Sequence, residues 1–158
     1  VRPEAISRLV AVSPMGLWDD DDPVADPFGT TLSDQRALLT ADPDATAWFF
    51  DDDRTLAADH LVEVGVQRYC TRTAAASLVW PICEFGLSTR AHRIACPVDL
   101  VWGAADRLNP PTYLDRYAAA LAGTTAHPLI DGAGHLADLD APNAVASVVG
   151  PAVERRQG

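Results

Sequence analysis

Three short and mostly apolar runs stand out along the chain, and each ends at residues that favour turns. The runs are Leu9 to Val12, Val98 to Trp102 and Ala126 to Ile130. Ser13-Pro14 closes the first run and Gly103 closes the second. Runs of four or five residues bounded in this way are typical of buried strands. We therefore predict three core strands at these positions.

Between the first two predicted strands the pattern becomes helical. An acidic loop, WDDDDPVADPFG, comes first, and from Leu32 to about Trp80 no strand pattern is present. We expect Ser33 to cap a first helix and two further helices to cover Thr55 to Tyr69 and Ala74 to Val79. This part of the chain is therefore predicted to be an all-helical insertion.

After the second strand, helices and strands alternate. Asn109-Pro110 is predicted to cap a helix that stops at Gly123. Asp140 and Pro142 are predicted to open a last helix, which Gly150-Pro151 should kink or interrupt. Strands that alternate with helices in this way predict an α/β fold with a parallel sheet and right-handed crossovers. We divide the chain into a core strand (1–17), a loop and helical insertion (18–90), and a second core part (91–158).

Composition and charge narrow the function classes. The formal net charge of −10 argues against a nucleic-acid partner, because contacts with phosphates require a basic surface. All twelve cationic side chains are arginine, which excludes lysine Schiff-base chemistry and a Walker phosphate loop. No apolar run approaches the roughly 20 residues that a membrane-spanning helix needs. We expect a protein that binds neither nucleic acid nor membrane.

The cysteines predict neither a disulfide framework nor a metal centre. Cys70, Cys83 and Cys96 form an odd set without a C-x-x-C pair, which favours a reducing location, the cytoplasm. His92 and Cys96 are spaced like half of a metal site, but no second pair of ligands accompanies them. We therefore expect no metal and no cofactor.

Two turns carry the candidate chemistry. Asp106 follows the second strand in GAADRLNP, and His135 follows the third in DGAGHLAD. If these strands are parallel neighbours, both side chains emerge at the same edge of the sheet, where ligands collect in such folds. Taken singly, an aspartate in a loop is usually solvated and a histidine in a glycine turn is usually structural. Together they have the arrangement of a general base and its orienting acid.

The same phrases resemble the α/β-hydrolase fold family. CPVDLVWGAADRLNP is similar to that family's strand and acid turn, DGAGHLADLDAP to its histidine turn, and VRPEAISRLVAVSPMGLW to the strand before its helical cap. By this resemblance, Asp106 is the triad acid, His135 is the general base, and the insertion is a cap over the site. Asp140 stands where the family usually has glutamate.

One feature of the family is missing. Its nucleophile lies in a G-x-S-x-G turn upstream of the acid and the histidine, and this sequence contains no such turn. Since the chain begins at Val1 rather than methionine, we expect the nucleophile upstream of it. Ser13 is at the end of a strand but lacks the sharp elbow, so we expect it to line the floor of the site. The chain would then be the C-terminal part of a hydrolase, inactive and poorly stable alone.

The predicted function is hydrolysis of an ester or related acyl bond in a small apolar substrate. Trp48 and Trp80 of the cap are candidate substrate-binding residues, because ligand sites are lined mostly by apolar side chains. Two alternatives keep the fold: an aspartate nucleophile, as in epoxide hydrolases and haloalkane dehalogenases, or a carbon–carbon bond hydrolase. A third alternative is a non-catalytic ligand-binding member or an inactive fragment.

Overall fold

A parallel sheet forms the centre of the computed structural model, which describes residues 5–50 and 57–154. Its strands are β1 (Leu9–Val12), β2 (Val98–Val101) and β3 (Thr124–Ala126), in the order β1-β2-β3. β2 pairs in parallel with both neighbours. The predicted α/β class and parallel pairing are confirmed.

The third strand differs from its predicted range. β3 begins two residues earlier than predicted and ends at Ala126 rather than Ile130. The chain nevertheless stays beside β2, since the Ile130 N–H donates to the carbonyl of Trp102 at 2.9 Å. Pro128 lies between these points and has no N–H to donate, so the regular ladder stops while the direction of the chain is kept.

The helices are α1 (Leu32–Leu39), α2 (Ala58–Val79), α3 (Leu87–Arg90), α4 (Tyr113–Ala120), α5 (Ala137–Asp140) and α6 (Pro142–Glu154), with short 3₁₀ helices at Ala47–Phe50 and Ala91–Arg93. The residues between β1 and β2 are helical or irregular wherever the structure describes them, as predicted. α4 connects β2 to β3 in the parallel crossover.

Several helix boundaries depart from the predictions. α1 is capped by Thr31, whose hydroxyl accepts the N–H of Asp34, and not by Ser33. α2 is one helix of 22 residues where two were predicted, although residues 55 and 56 lie outside the described residues. The residues between the two predicted helices include no proline, so the backbone hydrogen bonds and the helix continue.

The helices α4 and α6 also differ from expectation. α4 begins at Tyr113, because Pro110 and Pro111 instead accept hydrogen bonds in a turn that leads into the helix. α6 continues through Pro151, where an interruption was predicted. A proline so close to the end of a helix removes one late hydrogen bond, which is a small loss.

Helices cover both faces of the sheet. Successive residues of a strand point to opposite faces, so Val98 and Leu100 of β2 and the adjoining Trp102 lie on one face and Val101 on the other. The first face packs against Tyr113 and Tyr117 of α4. The second packs against residues of the histidine turn and of α5 and α6, among them Ala133, Ala137 and Val145. With both faces covered, the carboxyl ends of the strands remain as the open edge.

One acidic residue is buried within the sheet. Asp99 of β2 accepts a hydrogen bond from Arg8 Nη2 at 2.6 Å and also contacts Arg8 Nε. Its Oδ1 lies 3.0 Å from Nε2 of His127. These contacts hold the pKa of Asp99 below its usual value, chiefly through the hydrogen bond from Arg8. The cluster joins side chains from all three strand segments.

Candidate active site

The acid turn follows β2 and holds a fully buried carboxylate. Oδ1 of Asp106 accepts the backbone N–H groups of Leu108 at 3.0 Å and Asn109 at 2.8 Å. One oxygen of the carboxylate is thus bonded within its own turn, and the other remains able to bond elsewhere. The side chain of Asp106 is 0% exposed, so its orientation is fixed by protein groups.

The second oxygen meets the histidine, as the sequence predicted. Nδ1 of His135 lies 3.0 Å from Oδ2 of Asp106, and the histidine side chain is 14% exposed. Because the carboxylate oxygen is an acceptor, the hydrogen of the neutral ring belongs on Nδ1. That leaves Nε2 with a free lone pair that can accept a proton. No described residue hydrogen bonds to Nε2.

The histidine turn is held by close packing of backbone on both sides. A Cβ added to Gly103, just after β2, would lie 2.2 Å from the carbonyl oxygen of Gly134. A Cβ added to Gly134 would lie 2.8 Å from the backbone nitrogen of Ala41, in the segment that follows α1. Gly132 supplies the left-handed conformation at the start of the turn, with φ +71°. The glycines around His135 therefore serve both conformation and packing.

Asn109 is a buried member of the site that the sequence prediction misassigned. It was expected to cap a helix, but Nδ2 donates to the carbonyl of Pro14 at 2.7 Å. Its own carbonyl accepts the indole N–H of Trp102 at 3.0 Å. Together with its N–H bond to Asp106, these contacts tie the acid turn to the end of β1. The Asn-Pro pair carried no signal that distinguished this role from a helix cap.

Ser13 lies at the end of β1 in an uncommon conformation. Its φ is +42°, its N–H donates to the carbonyl of Val101 at 2.9 Å, and its side chain is buried. Its hydroxyl has no hydrogen-bond partner among the described residues. The structure thus places Ser13 at the open edge of the sheet, and its expected place in the floor of the site stays a prediction.

A cavity of about 630 Å³ lies in the helical insertion, apart from the acid and histidine. Phe28, Phe49 and Phe50 line it together with arginines at positions 36, 68 and 72, and neither Asp106 nor His135 is among its lining residues. Its size suits a ligand. Asp106 and His135 thus meet outside this cavity.

The two predicted substrate-binding tryptophans lie at the surface. Trp48 is 71% exposed and Trp80 is 58% exposed, and neither is among the lining residues of the cavity. The indole N–H of Trp80 donates to Asp26 at 3.4 Å. The aromatic residues that line the cavity are Phe28, Phe49, Phe50 and Tyr69. A role of the tryptophans in substrate binding stays a prediction.

Comparison with known proteins rests on structure, since no protein-family model and no curated protein sequence matches the chain. A bacterial membrane phospholipase A matches over 99% of this chain and 52% of its own, with a TM-score of 0.67 and 13% identity. A serine hydrolase from the polyaromatic-hydrocarbon-degrading bacterium Cycloclasticus zankles matches over 94% and 55%, with a TM-score of 0.64 and 12% identity. The chain has the α/β-hydrolase fold. It spans about half the length of these structures.

Within the α/β-hydrolase fold, the described elements correspond to the C-terminal part, with the helical insertion between β1 and β2. These two structures are a phospholipase and a serine hydrolase, and at this level of identity they establish the fold alone. Over residues 5–50 and 57–154, no helix is long and apolar enough to cross a membrane. The same residues contain no group of three side chains suited to holding a metal ion.

Proposed function

We propose that this protein is a hydrolase that cleaves an ester or related acyl bond. His135 acts as the general base, Asp106 orients it, and a serine outside the described residues is the nucleophile. The observation that carries this proposal is the 3.0 Å contact between Nδ1 of His135 and Oδ2 of a fully buried Asp106. A buried acid that fixes the tautomer of an accessible imidazole is the arrangement that acyl transfer requires.

The chemistry follows from the free Nε2 of His135. It accepts the proton of the serine hydroxyl as the oxygen attacks the acyl carbon, and Asp106 stabilises the imidazolium that forms. The imidazolium then protonates the leaving alcohol, which departs and leaves an acyl-enzyme. In the second half, the histidine takes a proton from water, which attacks the ester, and the acid product leaves as the serine recovers its proton.

An apolar small molecule is the proposed substrate class. Aromatic side chains line much of the cavity in the insertion, and α1 connects this cavity to the site. Gln35 and Arg36 of α1 face the cavity, while the carbonyl of Leu39 at its other end accepts the N–H of Leu136, the residue after His135. This contact supports the proposal that the insertion binds the body of the substrate.

The test is labelling by a fluorophosphonate probe of the protein as its gene encodes it. We expect covalent labelling of a serine, with loss in His135→Gln and a rate lowered on the order of 10⁴-fold in Asp106→Asn, because the amide favours the wrong tautomer. Asp138→Asn, an exposed change on the same side of the molecule, is the control and should label normally.

Three other results would contradict the proposal in different ways. Labelling that is abolished by Ser13→Ala would place the nucleophile at the end of β1. No labelling, combined with hydrolysis of an epoxide or a haloalkane, would indicate an aspartate nucleophile on the same fold. No labelling and no turnover, with His135 and Asp106 still paired, would favour a ligand-binding member without catalysis.

A further inference from the structure

The carboxylate of Asp140 joins the histidine turn to the helical insertion. Its Oδ2 accepts the backbone N–H of Gly134, the residue before His135, at 2.7 Å. The same oxygen accepts the backbone N–H of Ala41 at 2.8 Å, across 99 positions of sequence. One oxygen therefore holds together two chain segments that have no covalent connection near this point.

Other contacts between the end of α1 and the catalytic turns surround this bridge. Leu136, on the other side of His135, donates its N–H to the carbonyl of Leu39 at 2.8 Å. Arg107, next to the acid, donates from Nη1 to the carbonyl of Ala37 at 2.9 Å. The last turn of α1 and the two residues after it thus contact both neighbours of the histidine and one neighbour of the acid.

Thr40 and Ala41 also limit the space available to the histidine turn. Gly134 packs so closely on them that an added Cβ would lie 2.8 Å from the nitrogen of Ala41 and 2.9 Å from the carbonyl carbon of Thr40. Packing alone prevents the turn from moving toward the insertion. Hydrogen bonds join the turn to the insertion, and Asp140 accepts two of them, from Gly134 and from Ala41.

We infer that Asp140 is a positioning residue for His135. It holds the histidine turn against the insertion in the position from which Nδ1 of His135 reaches Asp106. The insertion therefore helps to support the pair of His135 and Asp106. Loss of the carboxylate lets the turn separate from Ala41 and weakens the bond between His135 and Asp106. This assignment rests on the role proposed above for His135, but its geometry can be tested independently of any reaction.

The test is NMR of the Nδ1 proton of His135 in the protein as its gene encodes it, with the signal assigned by its loss in His135→Gln. Asp140→Ala removes both hydrogen bonds, and we expect solvent exchange of this proton to rise on the order of tenfold, the effect of losing hydrogen bonds to a charged acceptor. Asp140→Asn keeps a side-chain oxygen that can accept both N–H groups, so exchange should stay within about twofold of the wild type. Asp138→Ala, on the same short helix and exposed, is the matched control.

A purely structural role would give a different pattern. Asp140→Ala would then lower the unfolding free energy while the exchange and chemical shift of the His135 proton matched those of Asp138→Ala, and that result would overturn the inference. If Asp140→Ala does not fold, Asp140→Ser, whose hydroxyl is too short to reach both amides, provides the same comparison. Absence of fluorophosphonate labelling with the Asp140 effect intact would count against the proposed reaction and not against this assignment.

Discussion

The strand β2 and the helix α2 are attached to the rest of this protein in opposite ways. Every residue of β2 is buried between helices. α2 has more than five times as many residues, yet Val62 is 70% exposed and Leu78 is 82% exposed. Arginines of α2 join it to the rest of the insertion by donating to backbone carbonyls, as from Arg72 Nη2 to Thr30 at 3.1 Å.

This difference predicts where in the chain a substitution lowers stability most. The segment that positions the acid and histidine is held by buried apolar surface and by close backbone packing, which tolerate little change. The helix that lines the cavity is held by a few polar contacts, and segments with few buried apolar contacts are those that open most easily. Substitutions of the same type should therefore have very different effects in the two regions.

The largest expected difference is between two tryptophans. Trp102 is 0% exposed beside Tyr117, and Trp102→Ala should lower the unfolding free energy by about 3–5 kcal/mol, because it leaves a cavity in the core. Trp48 is mostly exposed in the insertion, and Trp48→Ala should change the unfolding free energy by about 0.5 kcal/mol or less. Urea denaturation followed by circular dichroism measures both, and equal losses would contradict the comparison.

The next difference is between two glycines, and here the signs should be opposite. Gly103→Ala forces a methyl group against the backbone of the histidine turn and should destabilise the protein by about 3 kcal/mol. Gly65→Ala on α2 meets nothing within 4 Å and should stabilise the protein by about 0.5–1 kcal/mol, because alanine is the better helix former. The same denaturation experiment applies, and a loss of stability in Gly65→Ala would show that α2 packs more closely than described.

These glycines also show how far the sequence could predict the site. The apolar runs and the glycine turns located the strands and brought Asp106 and His135 together, because strand order alone places those turns at one edge. The role of Gly103 could not be predicted, since the atoms that exclude a side chain there belong to residues about 30 positions away. The same is true of Asp140, whose partner at Ala41 lies across the insertion.

For other residues, the local sequence did not indicate the contacts that they make in the folded protein. Asn109-Pro110 had the pattern of a helix cap, but burial of Asn109 against Pro14 decided its role. Trp48 and Trp80 were expected to line a substrate site because such sites are mostly apolar; both are mostly exposed, and their role in binding stays a prediction. Long-range contacts, which a single sequence does not display, account for each of these differences.

A smaller effect concerns pH. The pKa of Asp99 is lowered in the folded protein, chiefly by the hydrogen bond from Arg8, so its contribution to stability is present above the unfolded pKa of about 3.9 and is lost as pH falls through the folded value. We expect the unfolding free energy to decline below about pH 4, and this decline to be shallower in Asp99→Asn. Glu63→Gln, an exposed change on α2, is the control. Equal acid limbs in the wild type and Asp99→Asn would contradict the assignment.

The smallest expected effect decides to which region α1 belongs. By sequence α1 is part of the insertion, but its last turn bonds to the catalytic turns and should share the stability of the sheet. Thr31 caps α1 through the N–H of Asp34, and Thr31→Ala should destabilise the helix by about 1 kcal/mol. Native-state hydrogen exchange should then show protection of the Leu136 amide reduced about fivefold, since the carbonyl that it bonds to belongs to this helix. Thr31→Ser keeps the capping hydroxyl and should leave that protection unchanged. If Thr31→Ala instead reduced protection in α2 alone, α1 would belong to the insertion energetically, and the sheet would hold the histidine without its help.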